Sequence, residues 1–321
     1  MRFFMSFQSV IGIDVSKDTL DFHKLPTAAK GTIKNTPQAI NAFIESLAHE
    51  QPEMVIFEAT GGYQNQLAEA LFKAGIPLKA ANPKQIRDFA RSLGRLGKTD
   101  SIDAEIIARF AQSRELKPDQ PKAPHLLQIS ELLLRREQLI TMITMEKGHR
   151  ENTSPTMKNS IDQNIKMLQS QILELDKGIR QLVIASEETR RADEILRSIP
   201  GVGPITAAVI IAEMPELPTL GRKQAAALAG VAPFNRDSGQ YRDQRHISGG
   251  RKKVRNILYC IMRTCLIHNP VVKKWYEGFR AKGKAYKVAV IACVRKLLLV
   301  MRAMLISNST WDLQKHQFAI S

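Results

Sequence analysis

Residues 9–15, Ser-Val-Ile-Gly-Ile-Asp-Val, form an apolar run suited to a buried strand, and the next seventy residues limit the folds that strand can join. The turn-forming Ser16-Lys17-Asp18 leads to a second strand over 19–23, which makes a hairpin, and residues 32–34 read as a third strand. Pro37 then opens a helix whose apolar positions, Ile40, Phe43, Ile44 and Leu47, keep helical spacing. Residues 54–57 are a short strand ending at Glu58, 63–74 a helix closed by Gly75, and 77–81 another strand. Beyond Pro83, helical segments run through Leu93, followed by a loop with Gly94 and Gly97 and a helix from 101 to about 113. The order β-β-β-α-β-α-β-α is that of an α/β, ribonuclease-H-like core with a mixed sheet.

That order gives four acids a common destination. Asp14 lies in the C-terminal part of the first strand and Glu58 at the end of a later one. Asp100 and Asp103, three apart at a helix start, share one helix face. If the two strands are neighbours, all four can meet at one end of the sheet. Carboxylates gathered in this way suit two-metal phosphoryl chemistry, because Mg2+ takes hard oxygen ligands and two metals clamp the attacking and leaving oxygens. Each acid also has a plain structural role open to it. Asp14 can begin the hairpin turn, Asp100 can cap the helix and Asp103 can complement its dipole, while Glu58 can be a loop acid.

The middle of the chain changes period. Leu126, Ile129, Leu133, Ile140 and Ile143 run at spacings of three and four broken by Arg136, and residues 152–155 interrupt them. Ile161, Ile165, Leu168, Ile172, Leu175, Ile179 and Leu182 then form a heptad seam of the kind two-stranded coils use. One helix cannot bury such a stripe, so either the two segments fold back on each other or two subunits zip together. From about residue 192 the composition turns to Gly, Ala and Pro, and then becomes basic. Residues 241–300 hold 15 Lys+Arg against two Asp+Glu, so 13 of the chain's net charge of +16 lies there. A concentrated surplus is the footprint of a polyanionic partner. Residues 198–207, Ser-Ile-Pro-Gly-Val-Gly-Pro-Ile-Thr-Ala, read as the hairpin of a helix-hairpin-helix, with Gly201 and Gly203 letting backbone approach a phosphate at a helix N-terminus. Ser248, ahead of Gly249-Gly250, reads as a phosphate-cradling helix start, and Arg251, Lys252, Lys253 and Arg255 can reach several phosphates. Aromatics are scarce at 6%, so sequence reading by the protein itself is limited.

The three cysteines, Cys260, Cys265 and Cys293, lack zinc-type spacing and the even count of a disulfide scaffold. They read as buried free thiols of a reducing cytoplasm. No signal peptide is visible, and the best candidate membrane span, 288–305, is broken by Arg295, Lys296 and Arg302. The reading is of a soluble, cytoplasmic chain with no membrane partner.

Four motifs carry a specific resemblance: Ile11-Gly12-Ile13-Asp14-Val15-Ser16-Lys17, Phe57-Glu58-Ala59-Thr60-Gly61-Gly62-Tyr63, Asn82-Pro83, and Lys98-Thr99-Asp100-Ser101-Ile102-Asp103-Ala104. Together they resemble the DEDD recombinases, the insertion-sequence transposases that include Piv-type pilin-gene inversion proteins. The resemblance runs from residue 11 to about 301. It implies a RuvC-like domain over 1–120 whose four acids bind Mg2+, with Mn2+ as a substitute. It goes with a coiled-coil or dimerisation region over 121–190, a helical DNA-binding transposase domain over 191–310 and a tail over 311–321. It further implies that Ser238, the serine before Gly239, attacks double-stranded DNA to form a covalent intermediate. Read from the residues alone, Ser238 is a turn residue. The resemblance also brings a guide (bridge) RNA, a homodimer or homotetramer, and a place on the bacterial nucleoid. The break at Pro155 leaves subunit geometry open.

Three other functions fit parts of the chain. A RuvC-like junction-resolving nuclease would use the four acids without Ser238. A non-catalytic nucleic-acid scaffold would not need them. An actin-like sugar kinase shares Gly12-Ile13-Asp14 but needs a second phosphate loop of Asp-Gly-Gly-Thr type, which is missing, and has no use for the basic block.

Overall fold

The computed structural model describes residues 9–59, 61–94, 100–114, 116–235 and 245–314 and, within them, the side chains of all but Ala48, Asp100, Ser101, Ile102, Asn235 and Arg245. Contacts divide the chain into two compact units, Met1–Pro121 and Lys122–Ser321.

The first unit is built on one five-stranded mixed sheet. Its elements are β1 (Val10–Val15), β2 (Thr19–Leu25), β3 (Lys30–Lys34), α1 (Pro37–Ala48), β4 (Met54–Glu58), α2 (Asn65–Lys73), β5 (Leu78–Ala81), α3 (Pro83–Ser92) and α4 (Asp100–Gln112). The strand order is β3-β2-β1-β4-β5. The first three strands pair antiparallel, and β4 and β5 join parallel to β1 and to each other, as crossover helices require. The β1–β2 turn closes through Ser16, whose backbone N and Oγ each lie 2.9 Å from the Thr19 carbonyl.

Strand alternation sends side chains to two cores. Ile11, Ile13, Val15, Val55 and Phe57 pack with Ile40, Phe43, Ile44 and Leu47 of α1 and Leu67 and Leu71 of α2. Val10, Met54 and Ile56 pack on the opposite face with Ile86 of α3 and Ile106, Ile107, Ala108, Phe110 and Ala111 of α4. Each fully buried apolar side chain contributes about 1.5–3 kcal/mol, so the alternation fixes the register. Asn82-Pro83 is a helix start: the Asn82 side chain accepts from Lys84 N at 2.9 Å, and Pro83 stands where no intrahelical donor is needed.

The second unit opens with a helical hairpin, α5 (Pro124–Glu151) and α6 (Pro155–Ala185). Arg136 pairs with Asp176 at 2.6 Å and Arg150 with Asp162 at 2.6 Å, while Asn164 donates to Glu146 at 2.8 Å. Residue numbers that rise on one helix as they fall on the other mean antiparallel packing. Leu139, Ile143, Ile165 and Leu168 fill the seam, so the two apolar stripes fold back on each other within one chain. Leu126, Ile129, Leu133, Ile179 and Val183, at the base of the hairpin, belong to the large core of the remaining helices.

Those are α7 (Glu187–Arg197), α8 (Pro204–Glu213), α9 (Arg222–Leu228), α10 (Lys252–His268), α11 (Pro270–Ala281) and α12 (Tyr286–Ile306). A small antiparallel pair, β6 (Pro233–Asn235) and β7 (Arg245–Ile247), lies between α9 and α10, where the sequence reading had no strands. Asp193 of α7 is 1% exposed and is held by Arg180 of α6 and Arg197. Among the described residues no helix is long and apolar enough to cross a membrane.

The cysteines need one correction. Cys265 and Cys293 are buried, and burial pushes their thiols up to about 12 and about 11. Cys260 is exposed. The buried positions of α10 are Val254, Leu258, Ile261, Met262 and Cys265, and Cys260 falls off that face.

Candidate active site

The acids of the first unit are arranged by β1 and β4. These strands run parallel with Ile13 beside Phe57, so Asp14 and Glu58 follow at the next position of the ladder. By alternation both lie on the face of Val10, Met54 and Ile56, the one covered by α4. Asp14, Glu58 and Asp103 are all half-buried.

Gly12 explains how close α4 comes. A Cβ there would lie 2.3 Å from the Ala104 carbonyl oxygen and 2.4 Å from Ala108 N, so the helix backbone rests directly on the strand. Val10 shares its core with Ala108 and Ala111, while Gly12 lies against Ala104 and Ala108. The helix therefore runs against β1, and its N-terminal turn, with Asp100 and Asp103, points toward the Asp14 end. Asp100 is in that turn by its backbone, and its side chain lies outside the described ones.

Two neighbours escaped the sequence reading. Asp21 of β2 is the cross-strand partner of Asp14, and directly opposed residues point to the same face. Its Oδ1 accepts from Thr32 Oγ1. The signal was the alternation in Thr-Leu-Asp-Phe-His, which puts Asp21 in phase with Asp14. Asn35 spans the two loops: its Nδ2 donates to the Ser16 carbonyl at 2.9 Å and the Tyr63 carbonyl at 3.1 Å. That ties the turn after Asp14 to the loop after Glu58.

The donor set is carboxylate oxygen throughout, which suits a hard divalent cation rather than a thiophilic one. Among the described side chains no group of three or more His, Cys, Asp or Glu stands close enough to hold a metal ion. The fit therefore rests on donor type and on the shared face and sheet end of Asp14 and Glu58.

In the second unit the residues expected at nucleic acid divide into two sets. Gly201 has φ +94°, and a Cβ there would meet Cys265 N and Cα at 2.8 Å. Close packing of the turn on α10 is the physical reason for that glycine. Gly203, the N-cap of α8, has open space around it. Arg251 donates to the Glu213 carbonyl at 2.5 Å and pairs with Glu216 at 2.5 Å. Burial works to raise the Glu216 carboxyl, but hydrogen bonding and charge from Arg251 prevail and hold it below its ordinary value. Lys253 stands 3.4 Å from Glu213, and Arg255 donates to the Gly249 carbonyl at 2.6 Å. Ser248 and Lys252 are exposed, as are Arg263, Lys273, Lys274, Arg280, Lys282, Lys284 and Lys287. Ser238 falls in residues 236–244, outside the described residues, in the link between β6 and β7.

Comparison with known proteins gives this arrangement a class. Residues 11–153 match a family model described as Transposase, of the DEDD type of insertion element IS110. Residues 193–277 match the model for the Transposase IS116/IS110/IS902 family. Both describe transposases, enzymes of DNA recombination. The chain belongs to the IS110-type DEDD transposase family, the same family as the pilin gene-inverting proteins. The pilin gene-inverting protein of Moraxella bovis is 29% identical over 322 residues, covering 97% of this chain and 99% of its own. The protein of the same description from Moraxella lacunata is similar to the same extent, 29% over 322 residues. A 43.6 kDa protein of insertion element IS110 from Streptomyces coelicolor is 25% identical over 212 residues, 64% of this chain and 50% of its own.

Proposed function

We propose that this enzyme breaks and rejoins double-stranded DNA, in transposition or site-specific inversion, through a divalent cation held by Asp14, Glu58, Asp100 and Asp103 and a nucleophilic serine, Ser238. The observation that supports it most is the seat of α4 on Gly12, which turns a helix start bearing two acids toward the strand ends bearing the other two. Mg2+ suits these ligands, with Mn2+ as a substitute. When bound, it would supply Lewis-acid stabilisation of the charge that develops on phosphate oxygens.

In this reading Ser238 Oγ attacks phosphorus and forms a serine–phosphate ester, and the broken P–O bond leaves as a deoxyribose hydroxyl carrying the proton that serine gives up. One phosphate ester replaces another, so the strand can be resealed by the reverse step with no energy source. A serine is a weak nucleophile unless a base or metal activates it, so both the acids and Ser238 are needed.

The exposed cations of α10 to α12 hold the DNA backbone, with Ser248, Lys252, Lys253 and Gly203 at helix starts. The strand order supports a RuvC-like fold for the first unit, the α5–α6 hairpin an intramolecular coiled coil, and α7–turn–α8 a helix-hairpin-helix. The scarcity of aromatic residues favours a bound guide RNA as the reader of sequence. A dimer or tetramer on the bacterial nucleoid completes the proposal.

The test uses the full chain, purified from cells that also transcribe the DNA flanking its gene, with a plasmid carrying that DNA. Strand cleavage should require Mg2+, disappear in Asp14→Asn and Asp103→Asn, and give no protein–DNA adduct in Ser238→Ala. Full cleavage by Ser238→Ala with no adduct in the wild type would point to a hydrolytic junction nuclease instead. Sequencing the co-purified nucleic acid checks for a guide RNA.

A further inference from the structure

We propose that the cleft where α6, α7 and the start of α8 meet is a phosphate subsite, in which Arg180 and Arg197 hold one backbone phosphodiester of duplex DNA. The proposal rests on the reading of the second unit as a DNA-binding body, and it adds a contact on helices outside α10 to α12.

Helical spacing builds the cleft. Asp176, Ile179, Arg180 and Val183 recur at intervals of three and four along α6, so they share one face of it, and Asp193 and Arg197 are four apart on α7. Pro204 and Ile205, the first two residues of α8, complete the wall, and the space enclosed is about 160 Å³. At about 30 Å³ per water, that is room for about five waters, enough for a phosphate but not for a nucleotide with its base.

The charges around this space do not cancel. Asp193 is 1% exposed, and a single oxygen of its carboxylate serves both guanidinium groups: Arg180 Nη1 donates to Oδ2, and Arg197 Nη1 lies 3.4 Å from the same atom. Asp176, the other acid in the lining, is already held by Arg136 at 2.6 Å. Two arginines therefore share one buried carboxylate, and one positive charge is left over beside the open space. Both arginine side chains are 40% exposed, and each guanidinium has five N–H donors of which Asp193 takes one. The donors that remain form planar forks, which match the oxygens of a phosphate. The N-terminus of α8 adds to the same field. Its N-cap, Gly203, gives no side-chain cap, a Cβ there would meet nothing within 4 Å, and the Ile205 N–H lies in the first turn, where a helix has no acceptor of its own.

A phosphodiester carries one negative charge, which is the amount the cleft lacks. Apart from its charged groups the lining is Ile179, Val183, Pro204 and Ile205. Such walls suit the edge of a deoxyribose better than a ribose edge, whose 2′-hydroxyl asks for a polar partner. A contact of this kind fixes the duplex in place without reading its sequence.

The experiment uses the full chain and a duplex from the DNA flanking its own gene, with the same sequence as an RNA duplex for comparison. Affinity is measured across salt concentrations, together with thermal unfolding. The wild type is compared with the double variants Arg180→Gln/Arg197→Gln, Arg180→Lys/Arg197→Lys and Lys273→Gln/Lys274→Gln, and with Lys177→Gln. The glutamine variant of the arginine pair should bind DNA about tenfold more weakly, with a salt slope reduced by about one. The lysine variant keeps the charge beside Asp193 and guards against a folding failure. It should keep the salt slope and bind about threefold more weakly, because point charges replace forks. Lys177, exposed on α6 but outside the lining, should bind within about twofold of wild type as Lys177→Gln. A glutamine variant that melts lower yet, while folded, binds DNA as the wild type does would make the arginine pair purely structural and overturn the proposal. An equal loss in Lys177→Gln, or a loss confined to the RNA duplex, would overturn it too. If Lys273→Gln/Lys274→Gln weakens DNA binding while the arginine variants do not, the cleft fails and the DNA-binding reading of α10 to α12 stands. If the arginine variants weaken it and the α11 lysine variant does not, that reading fails and the cleft stands.

Discussion

Replacing Gly12 by alanine tests whether the seat of α4 on β1 sets both stability and chemistry in the first unit. The added Cβ would begin 2.3 Å from the Ala104 oxygen, 2.4 Å from Ala108 N and 2.9 Å from Ala108 Cα. All three are backbone atoms, so no side chain can swing aside. The helix has to withdraw by about 1 Å before the contacts become ordinary. Overpacking of this kind costs about 1–3 kcal/mol, and the absence of a flexible neighbour puts Gly12→Ala near the upper end, about 3 kcal/mol. For a unit of this size that lowers the melting temperature by about 10 °C. The same withdrawal carries Asp100 and Asp103 away from Asp14 and Glu58, and a shift of about 1 Å is enough to lower cleavage about a hundredfold. The assays are a thermal melt and Mg2+-dependent plasmid cleavage at a temperature where the variant is fully folded. Ile13→Val is the control, because Ile13 is fully buried on the opposite face. It should lose about 1 kcal/mol and keep its cleavage rate. A Gly12→Ala protein that melts with the wild type would refute the packing argument. One that is destabilised but cleaves normally while folded would sever the link between the seat of α4 and the acids.

Other perturbations probe the second unit. Asp193→Ala removes a buried carboxylate from Arg180 and Arg197; since both arginines are 40% exposed and can return to water, the loss in a urea melt should be about 2–3 kcal/mol. Gly201→Ala should cost about 1–3 kcal/mol against the Cys265 backbone while DNA affinity in the folded protein stays unchanged; weaker DNA binding without destabilisation would contradict this. A thiol reagent should titrate Cys260 in the native protein, and Cys265 and Cys293 only after unfolding. Because burial raises those two thiols to about 12 and about 11, the unfolded chain releases their protons first once pH passes about 8.5. Their contribution to stability is thus whole below that pH and declines above it, which urea melts between about pH 7 and pH 10 would show.

The sequence carried the sheet well because period-two apolar runs, a turn at Ser16-Lys17-Asp18 and helix starts at Pro37 and Pro83 all point to one topology. The heptad seam of 161–182 was equally plain, but the choice between an internal hairpin and a subunit zipper needed the partner residues, such as Arg136 with Asp176. The cations misled more. Arg251 and Arg255 look like Lys252 in sequence, yet they are spent on carbonyl oxygens of Glu213 and Gly249. Backbone acceptors have no signature in the amino-acid order, so a braced arginine and a free one cannot be told apart there. For the same reason Gly201 read as a phosphate contact when its close neighbour is α10. Asp21 was legible by alternation but was hidden by its lack of a motif.

The most direct test of joint action by the acids and Ser238 is to digest the adduct formed by the wild-type chain on DNA flanking its gene, in Mg2+, and to locate the attached nucleotide by mass spectrometry. A nucleotide phosphate is expected on the peptide containing Ser238, at that oxygen, and none in Asp14→Asn. An attachment at Ser248 or elsewhere, or cleavage that proceeds with no covalent species, would contradict it.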